Sequence, residues 1–94
     1  MNKADKARYD ALSQLGCICC LREKGVYSVP EIHHINGRKG NCNQETIGLC
    51  YYHHRAGNDC EAYTSRHPYK ARFEARYGTE AELLEDTNKR LTEV

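Results

Sequence analysis

The sequence has no tryptophan, one phenylalanine, one methionine and two prolines. With so few large apolar side chains, a 94-residue chain buries too little surface to be comfortably stable on its core alone. Domains of this size often add a metal, disulfides or a partner. There is no run of about 18 apolar residues, which excludes a membrane-spanning helix. The opening Met1-Asn2-Lys3-Ala4-Asp5-Lys6 leads into no apolar stretch, so no secretory signal is expected and the cytoplasm is the expected location. A formal net charge of +1 excludes binding to polyanions through bulk positive charge. Repeats, low-complexity segments and interdomain linkers are also missing, and one domain over residues 1–94 is expected.

What the chain does have is six cysteines and five histidines. Six cysteines in so short a chain can form a disulfide framework. In the cytosol thiols stay reduced, which favours metal binding plus spare thiols. Charge is also uneven. Residues 21–76 carry nine positive and six negative side chains and every histidine, whereas residues 77–94 carry two positive and five negative. A basic middle suits a polyanion, although ordinary surface scatter produces an excess of this size.

The apolar pattern predicts a small α+β chain. Ala4, Ala7, Ala11, Leu12 and Leu15 share one face of a helix over residues 3–15, stopped by Gly16. Residues 17–20 read as a knuckle-like turn. Val26 to Ile35 is β-prone around Pro30, Asn36-Gly37 is a turn signal, and Ile47 and Leu49 mark a second short strand. Cys50 to Arg55 reads as a helix start. His67-Pro68 opens another helix with a Tyr69, Phe73, Tyr77 stripe, ended by Gly78. Thr79 with Glu82 forms a capping box for a last helix to about Leu91.

Cys17 and Cys20 have C-x-x-C spacing, and Cys50 and His53 repeat it as C-x-x-H. Two such knuckles supply four ligands, the number tetrahedral structural zinc takes. Cys19 leaves the choice of ligand open by one position. Cys42 and Cys60 are spare thiols or part of a second site. His33-His34 ends a strand-like segment, where neighbours point to opposite sides. One ring can therefore ligate a metal while the next serves as a base. His53-His54 divides in the same way, with His54 a candidate partner for His33.

The order Cys17-x-x-Cys20, then Glu31-Ile32-His33-His34-Ile35-Asn36-Gly37, then Ile47-Gly48-Leu49-Cys50-x-x-His53-His54-Arg55 resembles the HNH endonucleases. The stretch Phe73-Glu74-Ala75-Arg76-Tyr77-Gly78-Thr79-Glu80, after His67, is similar to the phage-encoded recombination-enhancement (Ref) nucleases, HNH proteins that cut DNA held by the host RecA recombinase. The resemblance covers roughly residues 3 to 86. It implies a ββα-metal (HNH, or His-Me finger) core braced by structural zinc over about residues 17–58, with flanking N-terminal and C-terminal helices, the latter at about 68–91. It implies metal-dependent phosphodiester hydrolysis with little sequence specificity, DNA and the RecA filament as partners, and a phage or prophage origin in a bacterial host.

By position, the resemblance makes His34 the general base. It makes His33 and His54 ligands of a catalytic Mg2+ or Mn2+, with zinc able to occupy the same site, and His67 an additional ligand. Cys17, Cys20, Cys50 and His53 match the structural Zn2+ set, His53 replacing the more common fourth cysteine. The family's middle Asn position holds Glu45 here, with Asn43 nearby. Arg38, Lys39 and Arg55 are expected on the phosphates flanking the cut, and Arg66, Lys70 and Arg72 further along a helix. The rival readings are a zinc-stabilised DNA-binding module without catalysis, a restriction or homing nuclease, and a thiol-based redox or metal sensor.

Overall fold

The computed structural model describes residues 2–35 and 44–92. The first helix forms where the apolar pattern puts it, as α1 (Lys3–Leu15). The Asn2 side chain accepts the Asp5 N–H at 2.8 Å, filling one of the donors that a helix start leaves unpaired. Gly16 ends the helix at φ 93, and a Cβ there would stand 2.7 Å from the Tyr27 ring. Glycine is therefore required on both conformational and steric grounds.

The Cys17–Cys20 stretch, expected as a turn, opens a helix instead, α2 (Ile18–Lys24). Cys17 is its N-cap, with Sγ accepting the Cys20 N–H at 3.4 Å. The C-x-x-C spacing is thus that of an N-cap and the third helical residue, which brings both sulfurs to the same end of α2.

Only part of the β-prone Val26–Ile35 segment becomes a strand, β1 (Glu31–His34). Pro30 offers no N–H to a ladder. Ahead of it, Val26, Tyr27 and Val29 lie exposed, in irregular backbone. The second strand is β2 (Thr46–Leu49), antiparallel to β1 with Glu31 opposite Leu49, Ile32 opposite Gly48, His33 opposite Ile47 and His34 opposite Thr46. All of β2 is buried, with α1, α2 and α5 packed against it. A Cβ on Gly48 would lie 2.7 Å from the Gly16 carbonyl oxygen, so that residue lets two backbones meet.

Cys50 then caps the short α3 (Tyr51–His54). The loop that follows is laced back onto it, Arg66 N–H donating to the His53 carbonyl at 2.8 Å and His67 N–H to the His54 carbonyl at 2.9 Å. These are carbonyls that the end of a helix leaves unpaired. The His67-Pro68 bond is cis, and the next helix, α4 (Lys70–Tyr77), starts two residues beyond Pro68 rather than at it. Residues 66–68 are spent in a turn that the loop's hydrogen bonds to α3 hold in place. The last helix, α5 (Glu80–Thr92), starts with the expected capping box: Glu82 N–H donates to Thr79 Oγ at 3.1 Å and Thr79 N–H to Glu82 Oε1 at 3.0 Å.

The core gathers Ile18, Ile47, Leu49, Phe73 and Leu83 around four of the cysteines, Cys17, Cys19, Cys20 and Cys50. The structure is a small α+β arrangement of one two-stranded sheet and helices. No helix among the described residues is long and apolar enough to cross a membrane.

Candidate metal centres

Two clusters of metal-ligand side chains meet at α3. In the first, the cap positions of α2 and α3 bring Cys17, Cys20, Cys50 and His53 together, all four buried, with one potential ligand atom from each within 4.8 Å of the others. His53 Nδ1 lies 3.4 Å from Cys17 Sγ, 3.5 Å from Cys20 Sγ and 3.1 Å from Cys50 Sγ, and the Cys20 and Cys50 sulfurs are 3.9 Å apart. Tetrahedral zinc with bonds of about 2.0–2.3 Å sets its ligand atoms roughly 3.3–3.8 Å apart. The spacing fits.

Electrostatics point the same way. Hydrogen bonding to Cys19 and burial push the Cys17 thiol up to about 12. Hydrogen bonding to Cys17 and burial push Cys50 up to about 11, and burial raises Cys20. All three thiols are thus held toward the protonated form, a preference that a bound divalent cation would reverse. The other His53 nitrogen, Nε2, is buried without a hydrogen-bond partner among the described residues, and the His53 ring packs edge-on against Tyr63 and Tyr77. Cys19 is equally buried but outside this group of four, and Cys60 is exposed.

The second cluster joins three elements. His33 comes from β1, His54 from α3 and His67 from the loop laced to α3, again with potential ligand atoms within 4.8 Å of one another. His33 is buried, His54 half-buried and His67 exposed, so this cluster opens to solvent on one side. Burial holds the His54 and His67 imidazoles below their ordinary value, His67 with help from Arg66. They are therefore kept in the neutral form that binds metals.

Each inner ring has a carboxylate behind it. Glu80 Oε2 is 3.0 Å from His33 Nε2, and Glu31 Oε1 is 2.9 Å from His54 Nδ1. Burial works against the Glu80 carboxylate, but hydrogen bonds from His33 and Arg66 hold its carboxyl down at about 2. Hydrogen bonds from Arg55, ahead of the opposing effect of burial, hold Glu31 at about 2 as well. Ligating histidines usually carry such a partner on the far nitrogen, which fixes ring orientation and tautomer. The other nitrogen of each ring is then the one that would meet a cation.

The family model for recombination enhancement, RecA-dependent nuclease, matches residues 2–92. The chain belongs to this family. A comparison with curated proteins found no match.

Within this nuclease family member, the residues expected from sequence fare differently. The expected structural set and the expected ligand set are each brought together. His34 stands apart from both, its Nε2 3.0 Å from the Tyr9 hydroxyl of α1. The expected basic track is engaged with carboxylates. Arg55 makes a two-pronged ion pair with Glu31, and Arg66 pairs with Glu80 at 2.7 Å. Lys70 stands 3.9 Å from Glu80, and Arg72 pairs with Asp59. These cations are thus tied to carboxylates, Arg55 and Arg66 to the two that back the histidines. Arg38, Lys39, Cys42 and Asn43 lie outside the described residues. Glu45 is exposed, its carbonyl accepting the Ile35 N–H at 3.2 Å.

Tyr9, Glu31 and Glu80 were not singled out from sequence. Glu31 carried a usable signal, since strand alternation puts it on the face of His33. Tyr9 and Glu80 lie 25 and 47 residues from the histidines they meet, and no local pattern marks them.

Proposed function

We propose that this family member is an HNH-type, metal-dependent DNA endonuclease, one domain over residues 1–94 whose β1, β2 and α3 form the ββα-metal core. The observation that carries the reading is the three-histidine cluster from β1, α3 and the loop after α3, in a chain matching a nuclease family over residues 2–92. In this reading Cys17, Cys20, Cys50 and His53 hold structural Zn2+. His33, His54 and His67 hold the working cation, Mg2+ or Mn2+, with zinc a competitor for nitrogen donors. A cation held there would supply positive charge for the developing phosphate charge and the departing 3′ oxygen.

The chain's own residues do the rest. His34 takes the proton from the water that attacks phosphorus, and the Tyr9 hydroxyl fixes the imidazole for that step. Glu31 and Glu80 hold the rings of His54 and His33 in one tautomer. The DNA backbone is met by Arg38, Lys39, Arg55, Arg66, Lys70 and Arg72. Such contacts position a duplex without reading its sequence, so sequence specificity is weak. For Arg55, Arg66, Lys70 and Arg72, engaging phosphate means sharing with, or leaving, the carboxylate each now faces. The substrate is DNA held in a RecA filament, within the cytoplasm of a bacterial host of a phage or prophage.

The test is cleavage of plasmid and single-stranded DNA by wild type and His34→Ala, with magnesium or manganese, with and without RecA and ATP. Cutting by wild type alone is expected, and a RecA requirement would match the family description. No cutting under any condition, with DNA retained on a filter, would replace this reading with a zinc-stabilised binding module.

A further inference from the structure

Large apolar side chains left in water call for a reason when they cluster. Tyr51 and Tyr52, at the start of α3, are 47% and 50% exposed. Their rings contact each other edge to face at 5.5 Å, and Tyr52 stacks on Tyr63 at 5.0 Å with an interplanar angle of 28°. Cations close both ends of this row. Lys24 Nζ sits 4.9 Å from the centre of the Tyr63 ring, and the Arg55 guanidinium carbon 5.2 Å from that of Tyr51. The Ser65 hydroxyl donates to the Tyr52 carbonyl at 2.6 Å, fixing the backbone beneath.

The row also has a definite relation to the histidine cluster. Tyr51 precedes His54 and Arg55 by three and four residues, so it lies on their side of the helix, about one 5.4 Å turn away. Arg55 reaches from the Tyr51 ring to Glu31, the carboxylate behind His54.

Rigid, half-exposed aromatic rings between cations are what single-stranded nucleic acid binds. Every base has a face to stack, and the cations meet the backbone. A duplex hides its base faces and gains nothing from such rings. We propose that Tyr51 and Tyr52, braced by Tyr63 and Lys24, are a stacking platform for unpaired bases beside the cutting site. The substrate strand is then single-stranded at that point. This proposal rests on the nuclease reading for its substrate class, but its test does not depend on cutting.

The test is binding of the full chain to a labelled oligothymidine, to the same backbone with its bases removed, and to a duplex of equal length. No magnesium or manganese is added, and the readout is fluorescence anisotropy. Wild type is expected to bind oligothymidine more tightly than either other probe. Tyr51→Ala and Tyr52→Ala are expected to lose about fivefold to 150-fold on oligothymidine, the range per stacked base, with no change on the abasic strand. Tyr52→Phe keeps the ring and is expected to bind like wild type. Equal affinity of wild type for the thymidine and abasic strands would overturn the proposal. Alanine variants that bind normally, or that lose equally on both strands, would overturn it too. A platform that passes in a protein that never cuts would leave the base-stacking surface standing and refute the nuclease reading alone.

Discussion

His53 and His54 are neighbours in the chain, yet one is fully buried against three thiols and the other half-buried among two imidazoles and a carboxylate. The thiol cluster is closed, and it is built from the N-cap and third residue of two helices, with its three cysteines part of the core. The histidine cluster draws on a strand, a helix and a loop, opens to solvent through His67, and has carboxylates behind its inner rings. Structural zinc sites fill all four positions with protein, whereas catalytic sites keep one open. By that criterion the proposed reading gives the two clusters different jobs, and one short helix contributes to both because successive residues on it point about 100° apart.

The comparison breaks first if the thiol cluster is not structural. Apparent zinc binding energies of about 10–16 kcal/mol exceed or match the whole stability of a small domain. Cys50→Ser is therefore expected to abolish the cooperative thermal transition seen by circular dichroism, and a chelator is expected to do the same to wild type. A variant that melts like wild type would remove the structural role.

On the histidine side the expected losses are in activity. His34→Ala is expected to lower cleavage about 10²–10⁴-fold, the usual weight of a general base, with melting temperature and metal content unchanged. Glu80→Gln and Glu31→Gln are expected to weaken cation binding at the histidine cluster by about 10–100-fold. Titration calorimetry of zinc-containing protein with manganese would measure this, and unchanged affinity would show that the carboxylates serve Arg66 and Arg55 instead.

The smallest effect is expected at the start of α5. Thr79→Ala is expected to cost about 1 kcal/mol as a lost helix cap, read from denaturant unfolding. Hydrogen bonds from the Thr79 backbone and hydroxyl hold the Glu82 carboxyl below its usual value. A depressed carboxyl means that the unfolded chain binds more protons, so its stabilising contribution is present at neutral pH and lost as pH falls through the folded value. Thr79→Ala is expected to flatten that acid-side slope.

Much of this was legible in the sequence because its signals are local. C-x-x-C and C-x-x-H place ligands within a helical turn, adjacent histidines diverge, and Thr79 with Glu82 marks a cap. The strand Val26–Ile35 was overextended because β-propensity says nothing about whether a partner strand runs alongside. The turn at Cys17–Cys20 proved a helix because a thiol can accept an N–H at the N-cap. Glu80, Tyr9 and the pairing of the expected phosphate contacts with carboxylates depend on tertiary contacts between distant segments, which no spacing rule encodes.

The most direct test exchanges one neighbour for the other. His53→Ala and His54→Ala differ by one position, and zinc content by native mass spectrometry with the thermal melt would be measured for both. The account predicts that His53→Ala loses structural zinc and the cooperative melt. It predicts that His54→Ala keeps one zinc and melts like wild type while losing metal at the histidine cluster and cutting. If both variants lose fold together, or both keep their zinc and activity, the division of labour between the two clusters is wrong.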